Sequence, residues 1–164
     1  MTSDNGWQMP RGLANCHDSG TRIPLALRWT AKIKPRKPVD AMISLTDLAA
    51  TFLESAGIKP PADMDARSLL PLARGETQPQ RDAVFIERER HANVRKGDLS
   101  YPVRGIRTRD FLYLRNLEPD RWPAGDPEFY WAVGPYGDAD NTPTKEYLLD
   151  KLPAQFQAAA GQAD

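Results

Sequence analysis

The chain has 164 residues, with 22 Lys+Arg set against 22 Asp+Glu and a formal net charge of zero. That balance removes charge as an argument for nucleic acid or an anionic membrane as partner, and no apolar run approaches the ~20 residues of a membrane span. A chain of this length carries one core. The single cysteine, Cys16, allows no internal disulfide and no cysteine zinc site.

Fifteen prolines and eleven glycines predict short elements and many loops. There is no internal repeat, no low-complexity segment and no signal-peptide pattern in the polar N-terminus. In chain order, Met1–Ser3 reads as the end of a strand, with loop up to residue 20. "RIPLALRW" (Arg22–Trp29) has β-type composition, with Pro24 placing it at a strand start or a sheet edge. "KIKPRKPVDA" is a basic, proline-broken connector. The clearest helix is "SLTDLAATFLESAG", where Ser44 and Asp47 form a capping-box-like pair and Gly57 stands at the C′ position. Leu45, Leu48, Phe52 and Leu53 recur on one face of it, which predicts a core-facing stripe.

Further on, Ser68 is placed to cap a short helix, and Asp82–Arg88 reads as a strand. "ERERHANVRKGDLS" is a charged loop. "YPVRGIRTRDFLYLRNL" reads as a hairpin turning near Arg109-Asp110. After the long loop "EPDRWPAGDPEFYWAVGPYGDADN", Thr142 is a natural N-cap with Pro143 at N1 of a last helix, and the tail "QAAAGQAD" reads as frayed. Strands and helices are intermixed and an antiparallel hairpin comes late, so the class is α/β or α+β.

Several groups carry candidate chemistry. Asp4 and Asn5, in "TSDNG", form either a turn or two oxygen ligands of a hard cation such as Ca²⁺ or Mg²⁺. Two side chains alone do not hold such an ion, which takes about six to eight oxygens. Cys16 in "NCHDS" has no activating partner beyond His17 and reads as a free thiol. His91 in "ERERH" is surrounded by arginines that suit an anion, against a solvated loop in which Glu87 and Glu89 pair those arginines. The hairpin arginines Arg104, Arg107, Arg109 and Arg115 carry the same two readings. Tyr113, Trp122, Tyr130 and Trp131 form either a sugar-stacking surface or the pins of a proline-rich loop.

Taken in order, "TSDNG", "GTRIPLALRW", "KIKP", "ISLTDLAATFLESAGI", "DARSLLPL" and "YPVRGIRTRDFLYLRN" resemble the C-terminal part of a sulfatase. The helix segment resembles the family's D-L-x-P-T-x-L pattern, with Ala50 where proline is usual. The later block, through "YGDADNTPTKEYLL", resembles heparan N-sulfatase-like (sulfamidase-like) members, and the resemblance spans roughly residues 2–150.

The resemblance implies a fragment of the alkaline-phosphatase-like sulfatase fold, α/β with an α+β C-terminal subdomain. Residues 1–75 would be the last piece of the α/β domain, and residues 76–164 a small α+β subdomain with an antiparallel sheet. It implies hydrolysis of sulfate esters or N-sulfates on a sulfated sugar or other small sulfated substrate. Asp4 and Asn5 would be two ligands of a divalent cation, usually Ca²⁺, while Arg11, Arg88 and His91 would position substrate. The partner it implies is the missing N-terminal half of a sulfatase, with no nucleic acid and no membrane span.

The departures matter as much. The family's formylglycine motif, C/S-x-P-x-R, is absent, and "CHDSG" does not replace it, so no catalytic nucleophile is assigned. Where relatives place a Lys or Arg on the sulfate, this chain has Leu13, with Arg11 two residues away. His17 falls where an aromatic is common, and the chain reads as truncated at both ends. The expectation is a chain inactive alone; the alternative is a non-catalytic remnant that binds anionic glycans or pairs with a subunit. The compartment is not readable here, and the family suggests periplasmic, secreted or lysosomal.

Overall fold

The computed structural model describes residues 1–77, 79, 81–128 and 134–160. The chain divides into two units: Met1–Leu25, Phe85–Ile106 and Leu112–Asp164 form one, Ala26–Val84 and Arg107–Phe111 the other. Of the four aromatics read as a sugar-stacking surface or as pins of a loop, Tyr130 and Trp131 lie outside the described residues.

In the second unit, α2 (Asp47–Ser55) ends as its sequence predicts. Gly57 takes φ +76°, Gly57 N–H donates to Glu54 O at 3.0 Å, and Ile58 N–H donates to Leu53 O at 2.9 Å. That pair of bonds is a Schellman motif, which satisfies carbonyls that the helix end would otherwise orphan. The expected capping pair forms through one arm, Ser44 N–H donating to Asp47 Oδ2 at 2.8 Å.

The burial of α2 corrects the expected stripe. Asp47, Ala50 and Thr51 face inward, whereas Phe52 is 62% exposed and Leu45 45%. The reason is Asp47 itself. It is taken bidentately by Arg81 (2.9 and 2.8 Å) and accepts from Arg67 N–H at 2.9 Å, so the helix is rotated to bury this carboxylate. Thr51 Oγ1 donates to Asp47 O and accepts from Leu69 N–H, tying α2 to the chain just before α3 (Leu70–Arg74). The N-cap of α3 is Leu69 rather than the expected Ser68, whose Oγ accepts from Leu70 N–H at 3.2 Å from one residue further out, and Gly75 closes α3 at φ +86°.

The first unit holds most of a three-stranded sheet in the order β1 (Ala83–Arg88), β2 (Val103–Thr108), β3 (Leu112–Asn116). The turn at Arg109-Asp110 joins β2 to β3 as an antiparallel hairpin, the connection being too short for any other pairing. Ile86, Val103 and Leu114 pack on one side with Cys16 and Tyr101. Gly105 lies in the middle of that side, where a Cβ would stand 2.8 Å from Leu114 Cδ2, so glycine lets the neighbours close over it.

A second cluster joins Ala124, Tyr136, Ala139 and Phe156 with Leu148 and Leu149 of α4 (Pro143–Lys151). Thr142 caps α4 as predicted, its side chain accepting from Lys145 N–H at 3.1 Å. The expected frayed tail is helical as far as Ala160, the end of α5 (Pro153–Ala160), and its residues 161–164 lie outside the described residues; Phe156, 2% exposed, anchors α5 against Tyr136.

Two other expectations fail. Arg22–Trp29 forms no strand; only Leu25 is bridged, to Thr2, and Pro24 contributes its carbonyl to the Thr2 hydroxyl at 2.8 Å. A proline there removes a ladder donor, which leaves room for one bridge. The expected loop up to residue 20 also contains a single helical turn, α1 (Asp18–Thr21).

Candidate functional site

The N-terminal loop is closed on itself by main-chain contacts. Gly6 N–H donates to Gly20 O at 3.0 Å, Leu13 N–H to Trp7 O at 2.6 Å, and Gly12 N–H to Met9 O at 2.9 Å. A Cβ at Gly6 would collide with Ser19 O, and one at Gly20 with Gly12 O, so both positions need glycine for the backbones to meet. Arg11 (φ 65°) and Ala14 (φ 53°) hold left-handed backbone, costing about 1 kcal/mol or more each, and the Ser19 hydroxyl donating to Arg11 O helps hold the first.

This loop presents Asp4 and Asn5. Asp4 is exposed, and its Oδ1 accepts from Asn5 N–H at 3.0 Å; the Ser3 hydroxyl donates to Asn5 O at 2.6 Å. Carboxylate and amide oxygens are the donors a hard cation takes. Their number is short of a complete shell of about six to eight, and among the described residues no group of three or more His, Cys, Asp or Glu is gathered to hold a metal. In kind the two side chains fit a cation, and in number they fall short of its shell.

Arg11 is exposed near His17, whose imidazole is pushed below its ordinary value by burial and by the Arg11 charge. His17 Nδ1 pairs with Asn15 Oδ1, a packing role rather than a free base. Leu13, standing where a basic side chain was expected, is half-buried. Cys16 is 3% exposed, and burial pushes its thiol up, which disfavours the thiolate a nucleophile needs.

Arg88 and His91 meet on a residue that sequence reading did not single out. Asp138, 3% exposed, receives Arg88 Nη2, Arg95 Nη2 at 2.9 Å and His91 Nδ1 at 3.0 Å. Arg95 also donates to Trp122 O at 2.7 Å and Pro123 O at 2.9 Å, and Arg88 to Pro123 O at 3.4 Å. The Tyr101 ring lies within reach of both guanidinium groups, at 5.1 Å from Arg88 and 4.7 Å from Arg95. Burial would raise the Asp138 carboxyl, but the His91 hydrogen bond and the two arginines outweigh it and hold the group below its ordinary value.

The solvated-loop reading of "ERERH" is therefore corrected. Arg88 is 8% exposed and pairs with Asp138, while Glu89 and Glu87 face Arg104 and Arg90 pairs with Asp98. Of the candidate aromatics described, Trp122 pins its loop edge-on against Tyr136 (6.0 Å, 74°), and Tyr113 stays 64% exposed. Asp138 and Arg95 were missed because they lie 47 and four positions after His91, with no local pattern joining the three. The run of arginines was the only signal.

The family described as "N-sulphoglucosamine sulphohydrolase, C-terminal" matches residues 11–126. An ulvan-active sulfatase of Formosa agariphila is 36% identical over 100 residues, which is 61% of this chain and 20% of that protein. Human N-sulphoglucosamine sulphohydrolase is 32% identical over 127 residues, covering 71% of this chain and 24% of the human protein. A crystal structure of a sulfatase from Bacteroides thetaiotaomicron aligns over 86% of this chain and 29% of its own, at 26% identity and a TM-score of 0.54. The chain thus spans between a fifth and three-tenths of the length of these relatives.

Proposed function

The chain belongs to the sulfatase family, in the region described by the N-sulphoglucosamine sulphohydrolase C-terminal model, and from that premise we propose that it serves the hydrolysis of sulfate esters or N-sulfates on sulfated sugars. The observation that carries the proposal is the self-closed N-terminal loop, which holds exposed Asp4 and half-buried Asn5 side by side as oxygen donors. They would supply part of a Ca²⁺ shell; such an ion offsets negative charge on sulfate oxygens. Arg11 is exposed on the same loop and could lend a positive charge where Leu13 cannot. His91, held through Asp138, would meet the sugar.

The chain by itself does not turn over in this reading. Cys16 is buried and outside any C/S-x-P-x-R motif, so no nucleophile is at hand. Exposed apolar residues on and flanking α2, Ala49 and Phe52 within it with Leu45 before and Ala56 at its C-cap, support a partner that supplies the rest of the site. In this reading the partner is the missing N-terminal half of a sulfatase, in keeping with the small share of its relatives' length that the chain spans. The same residues also favour the second reading, a non-catalytic module that pairs with another subunit.

The test is turnover of glucosamine N-sulfate and of an aryl sulfate with Ca²⁺. The expected result is none for the 164-residue chain, and turnover once it is co-expressed with a sulfatase N-terminal region carrying C/S-x-P-x-R. Turnover by the chain alone that disappears in Asp4→Ala overturns the partner requirement. Stable pairing with that region but no turnover favours the non-catalytic module.

A further inference from the structure

We propose that Asp138 is a positioning residue that fixes His91 in the Nδ1–H tautomer and turns its Nε2 outward as a hydrogen-bond acceptor for a sugar hydroxyl or amine. The proposal rests on the reading of His91 as a substrate contact and changes what that contact recognises. A histidine beside arginines suggests a grip on sulfate; the geometry points to the sugar instead.

The argument runs from the carboxylate outward. Asp138 Oδ2 receives both Arg88 and Arg95, two groups that stay charged at any ordinary pH. A carboxylate between two guanidinium groups is ionised, and an ionised carboxylate only accepts. His91 Nδ1, 3.0 Å from the other oxygen, Oδ1, must therefore carry the proton. In the neutral ring the lone pair then belongs to Nε2. The two nitrogens diverge on the ring, so Nε2 faces away from Asp138.

Exposure agrees with that division of labour. The Asp138 side chain is 2% exposed, whereas the His91 side chain is 35% exposed. The buried end cannot swing. Arg95 is fixed by the carbonyls of Trp122 and Pro123, Arg88 reaches Pro123 as well, and both guanidinium groups flank Tyr101. The Asp138 main-chain N–H is itself committed to Ala124 O at 2.8 Å. A rigid carboxylate holding one imidazole nitrogen is how proteins set the role of the other. Sulfate oxygens are acceptors and offer nothing to a lone pair, whereas sugar hydroxyl and N–H groups donate to it.

The experiment is imidazole ¹⁵N NMR on the full chain. Only two histidines are present, and His17→Gln assigns the signals. The expected result is an Nδ1–H tautomer for His91, with the Nε2 resonance moving on titration with glucosamine N-sulfate, and binding weakened roughly fivefold to tenfold in His91→Ala. In Asp138→Asn the tautomer preference should relax while a folded spectrum persists; the wild-type tautomer decides the question even where that variant unfolds. An Nε2–H tautomer in the wild type overturns the positioning role. An Nδ1–H tautomer whose Nε2 signal stays still at saturating glucosamine N-sulfate overturns the substrate reading of His91, and the proposal falls with it.

Discussion

Among the described residues, each unit of the molecule buries one aspartate, and the two are used differently. Asp47 is 2% exposed and Asp138 3%. Asp47 spends its oxygens on the backbone N–H groups of Ser44 and Arg67 and on one bidentate arginine, Arg81. Asp138 binds side chains only: two arginines and a histidine that reaches the surface. The first fastens main chain to main chain and has no open end. The second ends in a group that can meet a ligand. Burial of a carboxylate thus says little about function until the exposure of its partners is known.

That contrast can be broken by substitution. Asp138→Ala leaves Arg88 and Arg95 facing each other without their shared anion, so it should cost about 3–5 kcal/mol in urea denaturation. Acid is a graded form of the same experiment. Because the folded carboxyl is held below its ordinary value, its contribution is present above the unfolded value of about 3.9 and is lost as pH falls through the lowered folded value. The Asp138→Ala chain should lack this part of the acid slope.

Asp47→Ala orphans two N–H groups, but the Arg81 side chain, 15% exposed, can turn toward water; about 3 kcal/mol is expected by the same method. Thr51→Val keeps the shape and cuts the bond to Leu69 N–H, for about 1 kcal/mol. His91→Gln should change stability least, by under about 0.5 kcal/mol. A larger loss at His91 than at Thr51 would erase the distinction between a closed and an open aspartate.

Features set by neighbours in sequence were legible. Gly57 ends α2, Thr142 starts α4, and Arg109-Asp110 turns the hairpin, each through chemistry contained within a few residues. The facing of α2 was not, because Leu45 and Phe52 outvote Asp47 in any periodicity count while Arg81, 34 residues away, decides the rotation. The strand expected at Arg22–Trp29 shrank to one bridge for a similar reason: composition favours β, but pairing needs a neighbour. Among the candidate residues, Asp4 and Asn5 could be named from the family resemblance, and Arg88 and His91 from the arginine-rich run "ERERH". Asp138 could not, since its meaning comes from three partners 43 to 50 positions distant.

The loop around Asp4 separates scaffold from payload. Gly6, Gly12 and Gly20 carry the close backbone approaches, and the bonds that shut the loop run between main-chain atoms. Exposed Asp4 and half-buried Asn5 contribute no side chain to those closing bonds. If Asp4 and Asn5 hold the proposed ion, such a loop lets its donors be rewritten for another ion without dismantling the frame, whereas one methyl group at Gly6 or Gly20 would dismantle it with every donor intact.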